Sequence, residues 1–327
     1  MVDFRAGRVE LRLLVGTLAV VCWLTCLLTA ADSPNDRQPT DPKSLGSPSS
    51  SSARAVPIED FFYSRRVSSP AWSPDGKRIV FTTNLTGRAN LWVVNSEGGW
   101  PLQLTVSDDR QSGSVFSPDG KWIVYQQDFG GGEYYDLFAV PSGGGSPVNL
   151  TNSPDVSETS PLFSPDGKML ALNYKLKSSP ANDIAVLDWS SRAVRNLTNE
   201  KSKDHTWQIA AWSSDGRSVL ANRANAGATD SSVFLIDVAS GTTGELTPHS
   251  GDILYFGAAV SPDGKSVLVS SNEKGGFSNV AIVDVASKKL KWLTDAQWEA
   301  RAGEFSPDDK LASYVINADG LETTYFY

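Results

Sequence analysis

"FSPDGKWIVY", residues 116–125, decides the fold, because nearly the same phrase returns along the whole chain. Ser-Pro-Asp-Gly stands at Ser73–Gly76, Ser117–Gly120, Ser164–Gly167 and Ser261–Gly264, and two degenerate copies at Ser213–Gly216 and Ser306–Asp309 complete a set of six. Successive copies begin 44, 47, 49, 48 and 45 residues apart. Proline presets φ at the first central position of a turn, aspartate bonds its own backbone and glycine accepts positive φ, so each copy reads as a hairpin corner. An apolar residue precedes every corner: Trp72, Phe116, Phe163, Trp212, Val260 and Phe305. A β-rich run such as "RIVFTT" (78–83), "WIVYQQ" (122–127) or "SVLVSS" (266–271) follows.

A second phrase keeps step with the first. It includes "LWVVNSEGGWPLQLT" (91–105) and "VFLIDVASGTTGELT" (233–247), and its closing threonines are Thr105, Thr151, Thr198, Thr247 and Thr294. Two phrases sharing a period in the forties mark a repeat architecture. Each unit holds four short strands between turn signals, and nothing after residue 57 has a sustained helical period. The expectation is an all-β fold over residues 57–327: a β-propeller of four-stranded antiparallel blades, about six of them, the last incomplete. A lone blade buries little, so the stabilising layers lie between blades, where the residue before each corner is expected to sit. The sixth unit lacks a fourth strand after "LETTYFY" (321–327). Either residues near "IEDFFYSRR" (58–66) supply it and close the ring, or the chain is the front of a longer protein; an exposed strand edge favours the second.

The rest of the chain bounds the class. Its 327 residues are 40% hydrophobic and 20% charged with a net charge of −8, an ordinary globular balance whose acidity disfavours nucleic acid as a partner. Arg5, Arg8 and Arg12 precede an uncharged apolar run at 13–29, and Ala30 and Ala31 follow it. Residues 1–31 therefore read as a signal peptide or membrane anchor, and the remainder as exported to the periplasm or cell exterior. Residues 32–56 are rich in Ser and Pro and read as a disordered linker. Cys22 and Cys26 both fall in the apolar run, so the exported part is expected to hold no disulfide or thiol chemistry.

Chemistry-bearing patterns are sparse. No Gly-x-Ser-x-Gly elbow occurs, and "GGGSPV" (143–148) lacks the closing glycine. His205 and His249 lie in polar stretches between units and read as solvated loop residues. Two histidines and no cysteine in the exported part argue against a transition-metal site there, and neither "NADG" (317–320) nor "SPDD" (306–309) is long enough for a calcium loop. Asp75, Asp119, Asp166, Asp215, Asp263 and Asp308 recur at one turn position and read as structural. "GGGEYYD" (130–136), a Gly-rich hairpin carrying Glu133, Tyr134, Tyr135 and Asp136, is the one unusual insertion. No catalytic, cofactor-binding or metal-binding residue is assigned, no cofactor is expected, and the substrate-binding residues stay unknown.

The stretch "IEDFFYSRRVSSPAWSPDGKRIVFTT" (58–83) resembles the opening of exported peptidases of the prolyl oligopeptidase family, in their dipeptidyl- and acylaminoacyl-peptidase branch. The repeats themselves are also similar to those of the Tol-system periplasmic propeller. The peptidase resemblance implies a propeller that caps a hydrolase domain and admits only small peptides. The Ser, Asp and His of catalysis lie in that hydrolase domain, and none has a counterpart here. It therefore implies the non-catalytic half of a serine peptidase, possible membrane attachment through the amino-terminal segment, and a peptide partner. The alternative is a self-contained six-bladed module that binds a protein or glycan in the periplasm.

Overall fold

The computed structural model describes residues 64–327. The expectations for residues 1–31, for 32–56 and for the first part of the 58–66 lead-in lie outside the described residues. Within them the secondary structure is all β, folded as six small antiparallel sheets whose strands lie side by side in chain order. The sheets span 67–103, 111–149, 156–196, 205–245, 255–292 and 299–326 and are numbered here as blades 1 to 6. Five have four strands and blade 6 has three, as the repeat predicts. Each inner strand carries a bulge, and in the first three blades Ser69, Gly113 or Ser160 takes a left-handed φ there. An extra residue bends and twists the strand, which suits the tight curvature next to the axis.

The corner is one hydrogen-bonded device repeated six times. In blade 2 Ser117 Oγ donates to Asp119 Oδ1 at 2.6 Å, and that oxygen also accepts the Lys121 N–H. Ser117 Oγ in turn accepts the Trp122 N–H that opens the next strand, and Gly120 (φ 68°) donates back to the Ser117 carbonyl. The same set recurs about Ser73, Ser164, Ser213, Ser261 and Ser306. In the sixth copy Asp309 takes the left-handed position at φ 59°. The serine, which pattern reading passes over, is thus as structural as the aspartate.

The Leu-Thr phrase has an equally local cause. Each threonine hydroxyl accepts the N–H fourteen residues earlier, where the third strand begins: Leu91, Leu137, Ile184, Val233 and Val280, at 2.9–3.1 Å. The fourth strands are only two or three residues long, so this side chain finishes the ladder that they leave short.

Five apolar layers hold the blades face to face. They centre on Val80, Leu91 and Tyr125 (blades 1 and 2), on Leu137, Leu170 and Leu172 (2 and 3), on Ile184, Ile209 and Val219 (3 and 4), on Leu220, Tyr255 and Val267 (4 and 5), and on Leu268, Val280 and Ala300 (5 and 6). Each fully buried Leu, Ile or Val contributes about 1.5–3 kcal/mol. Phe116, Phe163, Trp212, Val260 and Phe305 each pack into the layer shared with the preceding blade, as the repeat predicts. Trp72 does not: it is 61% exposed and Val67 on the same strand 68%. The outer strand of blade 6 is likewise exposed along its length, with Phe326 at 69%.

Candidate functional site

The six corners gather at one end of the axis. In the first three steps the proline of one corner lies under the glycine of the next: a Cβ on Gly120 would sit 3.8 Å from Pro74, on Gly167 3.4 Å from Pro118, and on Gly216 3.7 Å from Pro165. Blade 4 has Ser214 in place of proline, and its hydroxyl donates instead to the Pro262 carbonyl at 2.5 Å. Arg78 locks the first step, donating to the Ser142 carbonyl (2.9 Å) and to Gly120 O (3.3 Å) while its guanidinium covers the Phe116 ring.

Inside this end runs a cavity of about 640 Å³ whose wall is drawn from blades 2 to 6. The pre-corner residues Phe116, Phe163, Trp212, Val260 and Phe305 all line it, and Glu304 is the charged residue in the wall. Its wall is therefore largely apolar.

The other end of the axis differs blade by blade. Between blades 5 and 6 a pocket of about 480 Å³ is lined by Phe256, Asn272, Ser270, Glu299 and Arg301. Glu299 accepts the Ser278 N–H at 3.2 Å, and Arg301 pairs with Glu322. Beside it Phe277 and Trp298 stack at 6.2 Å, both about 40% exposed. Exposed aromatic surface next to an acid and an arginine can hold apolar side chains and polar ends of one ligand at once. None of these residues belongs to the repeated phrases, so the sequence carries no signal for them.

The corner aspartates are structural, as read from the turn pattern. Asp119 and Asp215 are held below the usual carboxylate range, first by the serine hydroxyl and then by the backbone N–H, and Asp166 is drawn down to about 2. The two histidines part company. His205 Nδ1 lies 3.2 Å from Ser202 Oγ in a local loop motif. The His249 side chain, read as solvated, is only 7% exposed: Nδ1 donates to the Thr247 carbonyl at 2.7 Å and Nε2 to Asp230 at 2.8 Å. Burial opposes its charge, but those two acceptors outweigh burial and raise its pKa. Both ring nitrogens face acceptors within hydrogen-bond distance, which ties His249 to the structure on two sides. It pins the connection between blades 4 and 5.

The Gly-rich hairpin roofs a further cavity of about 420 Å³, lined by Phe129, Tyr134, Asp136, Ser153 and Lys177. Lys177 Nζ lies 4.7 Å over the Tyr134 ring. Behind this wall is Glu158, fully buried.

Known proteins fall into line with this geometry. The PD40 family, the TolB beta propeller domain, matches residues 149–326. The uncharacterized peptidase YuxL of Bacillus subtilis (strain 168) is 26% identical over 213 residues, 63% of this chain and 29% of its own. Dipeptidyl-peptidase 5 of Porphyromonas endodontalis is 26% identical over 239 residues, 66% of this chain and 31% of its own. The chain thus spans about three tenths of the length of these curated relatives. Among solved structures, prolyl oligopeptidase B from Galerina marginata superposes with a TM-score of 0.63 at 15% identity, over 81% of this chain and 40% of that one. The propeller is related to peptidase propellers and to TolB alike.

Proposed function

We propose that this chain, a member of the TolB beta propeller domain family, is the non-catalytic, substrate-admitting propeller of an exported serine peptidase acting on small peptides. The observation that carries this reading is the alignment with two relatives named as peptidases, each over more than three fifths of the chain. The geometry is consistent with it. An apolar cavity inside the ring of corners and a pocket with Phe256, Glu299 and Arg301 between blades 5 and 6 offer surface for a peptide's apolar and charged groups.

In this reading the propeller does no bond chemistry. The rigid blades set the width of the entrance, and side chains at its mouth select by size and by charge. The Ser, Asp and His of catalysis belong to a hydrolase domain that shares the polypeptide. The amino-terminal apolar run carries the protein out of the cytoplasm, to the periplasm or the cell exterior.

A second reading has the family match itself behind it: a TolB-type module that binds a protein or glycan partner. Sequencing the reading frame through and past codon 327 separates the two. A Gly-x-Ser-x-Gly motif followed by an aspartate and a histidine supports the peptidase. A stop codon at that point overturns it in favour of the binding module.

A further inference from the structure

Phe256 departs from a rule that the other blades keep. Five places before the corner serine stand Ser68, Ser112, Thr159, Gln208 and Arg301, all polar, and blade 5 alone has an aromatic ring there. The next residue, Gly257, is pinned to blade 4: its N–H donates to Asn222 Oδ1 at 2.8 Å, and a Cβ on it would meet Val233 at 2.8 Å. Side chains alternate along a strand, so the ring at 256 turns away from that contact and lines the pocket between blades 5 and 6.

Two more rings stand at the rim of this pocket. Gly275 and Gly276, at φ 80° and 76°, turn the chain into Phe277, whose neighbours Gly276 and Ser278 both line the pocket. Trp298 directly precedes Glu299, where the inner strand of blade 6 begins. Phe256, Phe277 and Trp298 are each more than two fifths exposed, and none belongs to the five apolar layers. The fold gains little from them. Large apolar side chains left in solvent beside a pocket mark a surface that receives a ligand.

The polar groups of the wall say what else that ligand carries. Asn272 Oδ1 accepts the Leu254 N–H at 2.9 Å, which fixes the orientation of the amide and leaves its Nδ2 donors without a partner among the described residues. A peptide carbonyl suits such a donor. Arg301 is already paired with Glu322, and Glu299 has an oxygen on the Ser278 N–H. The wall therefore offers an acid and no unpaired cation, and it repels a terminal carboxylate. We propose that this pocket is a specificity subsite for an aromatic side chain at an internal position of a short peptide. The ring packs on Phe256 and the rim aromatics, and an adjacent peptide carbonyl accepts from Asn272. The proposal rests on the peptide reading above. The cavity of about 480 Å³ falls in the range of roughly 300–1,000 Å³ that takes small organic groups.

The test titrates the full chain with acetyl-Gly-Phe-Gly-amide and acetyl-Gly-Ala-Gly-amide by isothermal titration calorimetry. The Phe peptide is expected to bind tighter by about tenfold or more, the difference made by burying one aromatic ring. Phe256→Ser installs the residue of blades 1 and 2 at this position and disturbs no apolar layer, so it is expected to keep the wild-type Tm and to lose the preference. Asn272→Asp keeps the acceptor for the Leu254 N–H and removes the donors, and is expected to weaken both peptides alike, by roughly three- to tenfold. Equal binding of the two peptides, no binding of either at millimolar concentration, or a preference that survives in Phe256→Ser would overturn the subsite. Binding of cellotetraose in place of either peptide would give the rings to a glycan and overturn it too. A reading frame that stops at codon 327 together with a retained Phe preference would remove the peptidase and leave the subsite standing.

Discussion

Replacing Thr198 by valine isolates what the Leu-Thr phrase does. Thr198 is buried; its hydroxyl accepts the Ile184 N–H at 2.9 Å and donates to Asp183 Oδ1 at 2.8 Å. Valine keeps the shape and removes both bonds. Asp183 retains the Glu200 N–H at 2.7 Å, so the uncompensated loss is the Ile184 N–H, a buried donor with no water to turn to. Such an orphan costs about 1–3 kcal/mol. Taking about 2 kcal/mol for Thr198→Val and about 2–4 °C per kcal/mol for a chain of this size, Tm is expected to fall by roughly 4–8 °C. Thr198→Ser keeps the hydroxyl and loses one methyl group, about 0.8 kcal/mol. Urea and thermal denaturation of the three proteins supply the comparison. If Thr198→Val matches the wild type to within about 0.5 kcal/mol, or Thr198→Ser is the worse of the two, the hydroxyl is not what the phrase preserves.

Two further outcomes follow from the same structure. Phe116→Ala is expected to cost about 3–5 kcal/mol because Phe116 fills the layer between blades 1 and 2. Trp72→Ala, at the equivalent place before its own corner, is expected to change stability by less than about 1 kcal/mol because that side chain is largely in solvent; paired urea melts check both. His249 has a raised pKa in the folded protein. Its contribution is therefore full below the unfolded histidine value, near 6.5, and is lost as pH rises through the higher folded value. Between pH 5.5 and 8.5 Tm should decline more steeply in the wild type than in His249→Gln, and coincident pH profiles would refute the pin.

The corners were legible because proline, aspartate and glycine each have a backbone reason to stand where they do, and six copies at one period leave little choice of architecture. That blade 6 has three strands among the described residues was legible for the same reason. Ser117 and its equivalents were harder, since a serine beside a turn suggests nothing until its hydroxyl is seen bridging Asp119 and the Trp122 N–H. His249 was misjudged as solvated because a polar sequence neighbourhood says little about burial between blades. The pocket residues Phe256, Glu299 and Arg301 were invisible, because Phe256 stands on blade 5 and the other two on blade 6, and only the packing of those blades makes them neighbours. What repeats in this chain is scaffold, and what does not repeat carries its specificity.

The most direct test of that division is to treat the purified chain with an alkyl fluorophosphonate and to assay it in parallel on chromogenic dipeptide anilides. Six corner serines engaged by aspartates and backbone, and histidines spent on structural contacts, predict neither labelling nor turnover. Stoichiometric labelling of a serine between residues 64 and 327, with anilide cleavage abolished by the label, would contradict it.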